Sequence, residues 1–516
     1  MKYNIYLLGL GLMFSTTACV DLNQDPLSFM TEEEYIEQPQ ELDIVQKGVD
    51  GLYHSLWYNN YGLSCRRIRL EVSAGEILPQ FAKANNPLTN VYELAPVTGS
   101  IDKDSEQLWR NFWSVITGAN KIINGTPILE GDSESKEKIA TIAEAYFLRA
   151  YCYFNLVRIF GDVPFITSQN EALNKTIQRE KVARIYDEII LPDLDYACKY
   201  LPEVSRTGSS NTPSRWAAKT MLADVYMTMA GWPLKRGNEY YTKAAEEAKD
   251  IIENSGLSLT PDYSDLWKED LKVSDREHLF AVHNSVAGKN PSQYGKSFYS
   301  SDHQYGGWGD YFASPLFVEN HPDDERLDHD FLKEWKNNKG EEIKYETSSN
   351  KCPLIVKFAD YNQMNSNNTS CSQLSNGITP IYRYADVLLM YAEASNLAEG
   401  GPNALAKKCL KDIQDRAGYP EEDRPSVADQ TSFDKAVFAE RGWEFYAEGK
   451  RWFELVRREK VKEYRNRADK KPGDKGHDNE YGMYFDNSLY NAHGHYYLPL
   501  PMAEVDMTGW ENNSGY

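Results

Sequence analysis

"AEAYFLRAYCYFNLVRIFGDVPF" (residues 143–165) decides the architecture. Ala143, Phe147, Ala150, Phe154 and Val157 recur at steps of three and four, the spacing that lines one helical face with apolar side chains. Gly161 and Pro164 then stop that helix. After a loop, "REKVARIYDEIILPDLDYACKYLP" (179–202) supplies an amphipathic partner. The same grammar returns downstream. Thr212-Pro213 opens "SRWAAKTMLADVYMTMAGWP" (214–233), a small-residue helix closed by a Gly-Trp-Pro turn, and "EYYTKAAEEAKDIIENSG" (239–256) is its Ala-rich partner. "RYADVLLMYAEASNLAEGGP" (383–402) pairs with "NALAKKCLKDIQDRAG" (403–418), and "FDKAVFAERGWEFYAEGKRWFELVRREK" (433–460) holds a fourth pair. Four divergent helix–turn–helix units of tetratricopeptide type predict a mainly α-helical scaffold.

Two stretches break this pattern. Residues 260–380 are rich in Gly, Ser, Asn and aromatics, with the strand-like pieces "HLFAVHNSV" (278–286) and "PLIVKFADY" (353–361). A second irregular region covers about 57–100. Long loops are uncommon in a compact scaffold unless they carry function, and rigid helices presenting irregular aromatic segments is the layout of a binding protein.

The amino terminus reads as an export signal. Lys2 is the one early positive charge, and Ile5 to Phe14 is an apolar run of ten residues. A membrane-spanning helix needs ~20 apolar residues, so the run is too short to span. Small residues Thr17 and Ala18 precede Cys19, an arrangement that places a cut before an acylatable thiol. Thr16 stands where such signals usually carry Leu. The predicted organisation is therefore a signal peptide (1–18), a lipidated tether (19–40) and one domain (41–516). Within that domain, 41–259 holds the first two helix pairs, 260–380 the loop-rich insertion and 381–516 the last two pairs.

Composition narrows the function class. Acidic residues outnumber basic ones, 77 to 56, for a net charge of −21. Broad nucleic-acid binding needs a basic surface and is not expected. Thirty-five Tyr and eleven Trp, many among polar residues, are a heavy aromatic load. There is no C-x-x-C, so zinc-ribbon and thioredoxin-like readings have no support. Cys352 and Cys371 flank a polar loop and form a possible disulfide, whereas Cys152, Cys198 and Cys409 fall in helical patterns as buried thiols. No G-x-S-x-G, H-E-x-x-H or P-loop is present, so no catalytic residue and no cofactor is assigned.

Five motifs in order resemble the SusD/RagB-like outer-membrane lipoproteins of Gram-negative glycan-uptake systems. They are "AEAYFLRAYCYFNLVRIFGDVPF" (143–165), "RYADVLLMYAEA" (383–394), "DIQDRAG" (412–418), "ERGWEFYAEGKRWFELVR" (440–457) and "YYLPLPMAEVDMTGWENNSGY" (496–516). "CVDLNQDP" (19–26) resembles the start of the mature family chain. The resemblance implies a SusD-like fold with four tetratricopeptide-like units as scaffold and a partly β insertion carrying the ligand site. It also implies a non-catalytic protein, anchored in the outer membrane by lipid and exposed on the cell surface. Such a protein delivers oligosaccharide to a partner, a SusC-like TonB-dependent barrel. A scaffold binding peptide or protein is the alternative.

Sugars present CH faces that stack on aromatic rings, so loop Trp and Tyr are the candidate ligand contacts. "HQYGGWGDYF" (303–312) surrounds Trp308 with glycines and flanks it with Tyr305 and Tyr311, and Tyr294 lies just upstream. "SLWYNNYG" (55–62) adds Trp57, Tyr58 and Tyr61, and "ILPQFAKANN" (77–86) adds Gln80, Asn85 and Asn86. Trp109, Trp113, Trp216, Trp443 and Trp452 sit in helical patterns and are assigned to the core. Arg66, Arg67 and Arg69 suit either an anionic ligand or surface ion pairs. "HPDDERLDHDF" (321–331) and "HGH" (493–495) carry metal-ligating residue types without a complete ligand set, and no metal is assigned. The Asp324/Arg326 pair reads instead as a helix start.

Overall fold

The computed structural model describes residues 41–57, 71–79, 102–128, 131–168, 171, 176–285, 287–288, 292, 299–304, 306–358, 376–465, 496–514 and 516. Its frame is a succession of helices: α1 (Leu42–Trp57), α2 (Asp102–Gly125), α3 (Ser135–Phe160), α4 (Leu191–Tyr200), α5 (Arg215–Ala230) and α6 (Asn238–Asn254). The carboxyl-terminal part adds α7 (Tyr384–Glu399), α8 (Ala404–Arg416), α9 (Gln430–Glu444) and α10 (Arg451–Arg457). Each helix packs on its successor through α8, and α9 packs back on α7. The expected partners α3/α4, α5/α6 and α7/α8 are therefore in contact, and α1/α2 form a further pair ahead of them. No described helix is long and apolar enough to cross a membrane.

Local chemistry accounts for the helix ends. Ser214, Asn403 and Asp429 cap α5, α8 and α9 by accepting from Ala217, Ala406 and Ser432 backbone N–H groups at 3.3, 2.8 and 2.9 Å. One expectation shifts. The segment 179–202 is not a single helix: Arg179–Glu180 pairs with Val163–Pro164 as a short ladder, and helix begins at Val182. The helix then widens into a π-type turn over Tyr186–Ile190, directly ahead of Pro192, whose ring nitrogen has no hydrogen to donate.

The apolar interior divides into two clusters. The first runs along the helical frame and includes Phe147, Tyr151, Phe154, Leu389 and Phe433. Trp109, Trp216 and Trp452 are buried in it as expected, and Trp113 is half-buried against it. Cys152 and Cys409 are buried there, whereas Cys198 is only half-buried, so its assignment as a buried thiol is corrected. The second cluster belongs to the irregular region. Tyr263, Trp267, Tyr299, Phe331, Trp335 and Leu354 pack with Val72, Ile77 and Leu78 from the amino-terminal side and Tyr446 from the carboxyl-terminal side. Trp443 is half-buried against this second cluster.

Short antiparallel ladders stitch that region together. β1 (Ile77–Pro79) pairs with β3 (Tyr311–Ala313), and β2 (His278–His283) pairs with β6 (Ile378–Arg383). β4 (Glu334–Lys336) and β5 (Glu342–Lys344) form a hairpin.

A charged layer lies between the two apolar clusters. Arg383, fully buried, donates to Glu277 at 2.6 Å, Glu444 at 2.9 Å and Glu448 at 2.7 and 3.1 Å. Its guanidinium stands 5.7 Å from the Trp267 ring of one cluster and 5.1 Å from the Phe445 ring of the other. Glu444 also accepts from Arg326 at 3.0 Å and Arg416 at 2.5 Å, and Lys357 lies 2.9 Å from Glu448. Burial pushes the Glu444 carboxyl up, but Arg416, Arg383, Arg326 and Lys357 together outweigh it and hold the group at about 2.

Candidate functional site

The candidate site is built around the loop that carries Trp308. Its base is the Tyr299 ring, buried and stacked on His303 with centroids 4.5 Å apart and planes 6° from parallel. Burial pushes the His303 imidazole down to about 4, so the ring is neutral at physiological pH. From this base the chain doubles back. Gly306 N–H donates to His303 carbonyl at 2.7 Å and Gly309 N–H to Tyr299 carbonyl at 2.8 Å. At Gly307 a Cβ would stand 2.1 Å from the Tyr299 carbonyl oxygen, and Gly309 has φ +59°. Only residues without side chains let this loop lie flat on Tyr299. Gln304 N–H donates to Lys336 carbonyl at 2.8 Å and Asn338 N–H to Asp302 carbonyl at 3.1 Å, which ties the loop to the β4–β5 hairpin. Trp308, between two of these glycines, is half-buried.

The loop then runs straight into β3. Tyr311 is the register partner of Pro79 and Ala313 that of Ile77. This ladder places the chain immediately before Gln80 beside the chain immediately after Asp310, so the two irregular regions of the sequence meet at one sheet edge. Trp57 is the last residue of α1. Tyr58, Tyr61, Gln80, Asn85, Asn86, Tyr294 and Tyr305 lie outside the described residues, as do Cys19, Arg66, Arg67, Arg69, Cys371 and the 493–495 segment. Cys352 is buried, and the disulfide expected of it concerns a partner in that same undescribed group.

Tyr311 requires a correction. It is 2% exposed and belongs to the second apolar cluster, so its ring faces are already covered. β3 is buried along its whole length where it pairs with Ile77–Pro79, whereas three residues upstream, among the glycines, Trp308 is only half-buried.

The 321–331 segment has structural partners. Asp324 caps the short helix Glu325–Asp330 by accepting from Arg326 N–H at 3.0 Å, and the two side chains pair at 2.6 Å, as the helix-start reading requires. Asp330 accepts from Tyr263 hydroxyl at 3.1 Å, and His321 Nδ1 is 2.9 Å from Pro322 carbonyl.

The charged layer was not assigned from sequence. One signal for it was present: Glu440, Glu444 and Glu448 stand four apart among aromatic residues, the first two on α9 and the third in the turn that follows it. All three are buried.

The profile of the SusD family matches residues 276–516, and a second profile, described as "Starch-binding associating with outer membrane", matches residues 28–227. The chain belongs to the SusD/RagB-like family. A SusD-like protein from Formosa agariphila is 26% identical over the full length of both chains. The crystal structure of a SusD superfamily protein from Parabacteroides distasonis superposes with a TM-score of 0.74 at 25% identity, covering 91% of this chain and 99% of that one. A structure described as a laminarin binding SusD-like protein aligns at 20% identity with a TM-score of 0.71, covering 93% and 100%. The SusD-like fold expected from the sequence is thus the fold of the protein.

Proposed function

We propose that this SusD-family chain is a cell-surface lipoprotein that binds glycan and passes it to a TonB-dependent outer-membrane barrel. The observation that carries the reading is Trp308, a half-buried indole on a loop pinned at both ends by backbone hydrogen bonds. A ring held in place before the ligand arrives loses little conformational freedom on binding, and a flat indole matches the CH face of a pyranose. Tyr294, Tyr305, Trp57, Tyr58, Tyr61, Gln80, Asn85 and Asn86 are proposed to complete the site, since the β1–β3 ladder joins their two segments. The family profile's starch-binding description and the laminarin-binding relative support a neutral saccharide as ligand. A binding protein of this kind needs no catalytic group.

The test is a glycan panel on the soluble domain, followed by calorimetry of wild type against Trp308→Ala. Loss of one well-used stacking ring costs ~1–3 kcal/mol, roughly 5- to 150-fold in Kd. Unchanged affinity in a folded Trp308→Ala protein removes Trp308 from the site. Binding to peptides with no glycan retained selects the scaffold alternative instead. Anchoring is tested separately: Cys19→Ala releases the protein from the outer-membrane fraction if the lipid tether is real. Recovery of a barrel-sized partner from mildly solubilised membranes tests delivery.

A further inference from the structure

A polar ribbon flanks the Trp308 loop and supplies none of the contacts named so far. Residues 302–304 run antiparallel to the end of β4: Gln304 N–H donates to Lys336 carbonyl at 2.8 Å, Asn338 N–H donates to Asp302 carbonyl at 3.1 Å, and His303 faces Asn337 between them. On its other edge β4 pairs with β5, with Trp335 opposite Ile343 and Lys336 opposite Glu342. β4 is therefore the middle of three strands.

Alternation assigns the faces. Successive side chains of a strand point to opposite sides, and residues directly opposite each other share a side. His303 and Trp335 are buried and mark the inner face. Gln304, Lys336, Asn338 and Glu342 then belong to the outer face, and all four are exposed. Gln304, Lys336 and Glu342 make a row across the strands ~10 Å wide at the usual strand spacing.

Two observations set this row apart from ordinary solvated surface. Gln304 is four residues from Trp308, which keeps the two Cα atoms within ~14 Å, and Gly306 and Gly309 fix the intervening turn through their bonds to His303 and Tyr299. The side-chain amides of Gln304 and Asn338 also have no hydrogen-bond partner among the described residues, although cross-strand bonds hold both backbones. Asn337 stiffens the hairpin tip, its side-chain oxygen accepting from Lys339 and Glu341 N–H groups at 2.9 Å each. An amide offers two donors and an acceptor, a match for sugar hydroxyls, and a stiff backbone lowers the freedom lost on binding. Lys336 reaches Glu342 only at 3.7 Å, so its ammonium can turn to a ligand oxygen.

On the saccharide reading of Trp308, on which this rests, we infer that Gln304, Lys336 and Asn338 form a hydrogen-bonding subsite for sugar units beyond the one stacked on Trp308. The ligand is then a linear oligosaccharide that runs from the indole onto the outer face of the ribbon. Lys336 and Glu342 put both signs of charge there, which suits a neutral chain.

The experiment is calorimetry of wild type, Trp308→Ala and the double variant Gln304→Ala/Asn338→Ala against the maltose, laminaribiose and cellobiose series, each from disaccharide to hexasaccharide. In the series that binds, wild-type affinity climbs with chain length and Trp308→Ala weakens every length. The double variant loses about tenfold on the longest chains and little on the shortest, the size expected for two hydrogen bonds. Lys344→Ala, exposed on the same face but on the strand farthest from the loop, binds like wild type. A folded double variant that keeps the full gain with length, while Trp308→Ala still weakens binding, overturns the subsite and leaves the Trp308 reading standing. An equal loss at every length also overturns it, since that marks a disturbed loop rather than missing contacts. No binding in any series overturns the subsite as well, and the wider glycan panel then decides whether the saccharide reading falls with it.

Discussion

Replacing Arg383 with Met probes the charged layer at its centre. The substitution conserves bulk and removes five hydrogen bonds, to Glu277, Glu444, the Glu444 carbonyl and both oxygens of Glu448. None of the three carboxylates is left wholly alone: Glu277 keeps Arg416 at 3.1 Å, Glu444 keeps Arg326 and Arg416, and Glu448 keeps Lys357. Removing one partner of a buried ion pair costs ~3–5 kcal/mol, and the surviving partners put Arg383→Met near the lower end, ~3 kcal/mol. The measurement is the urea midpoint of wild type and variant at pH 7.5, repeated at pH 5. Acidification narrows the gap, because Glu444 and Glu448, whose carboxyls Arg383 helps to hold low, take up protons more readily once it is gone. Glu448→Gln in the same chain recovers part of the loss, which a double-mutant cycle reads as coupling. A loss below ~1 kcal/mol at pH 7.5, far short of the range for a broken buried pair, refutes the idea that this layer holds the two clusters together.

Gly307→Ala places a Cβ 2.1 Å from the Tyr299 carbonyl oxygen and must displace the loop. Glycan affinity therefore falls by about tenfold or more, ~1.4 kcal/mol, while Gly401→Ala, with nothing within 4 Å of its Cβ, leaves affinity unchanged. Tyr311→Ala lowers stability by ~3–5 kcal/mol, as expected for a large buried ring, and calorimetry on the folded fraction shows glycan affinity retained. Glu71 is buried, and burial raises its carboxyl to about 7 despite hydrogen bonds from the Arg451, Gly449 and Lys450 backbone N–H groups. Because the folded state holds this proton where the unfolded chain, near 4.5, has released it, Glu71 makes stability fall as pH rises from 4.5 to 7. Glu71→Gln removes that slope, so the variant-minus-wild-type stability difference grows by up to ~3 kcal/mol across the window, as followed by urea midpoints.

Helix positions were legible because each helix carries its own instructions. Period, caps and Gly or Pro stops lie within about twenty residues of one another, as in 143–165 and 214–233. The break in 179–202 was less visible, since a Pro at 192 is compatible with a helix start as well as with a widened turn. At the candidate site the loop composition singled out Trp308, but it could not separate Trp308 from Tyr311. That distinction depends on β3 pairing with residues more than two hundred positions earlier, which no local pattern encodes. The charged layer was hidden for the same reason. A buried Arg and an exposed Arg look alike in sequence until the carboxylates of Glu277, Glu444 and Glu448 are brought to it.

The two apolar clusters meet across directional bonds rather than across grease. An oily seam tolerates sliding, because dispersion contacts are nearly indifferent to small shifts, whereas a guanidinium fork fixed on three carboxylates accepts only one alignment. The platform under the Trp308 loop is consequently indexed to the helices like a tool head on a keyed shaft. A substitution in that loop leaves the keyed contacts untouched, whereas a change at Arg383 alters its bonds to Glu277, Glu444 and Glu448 at once.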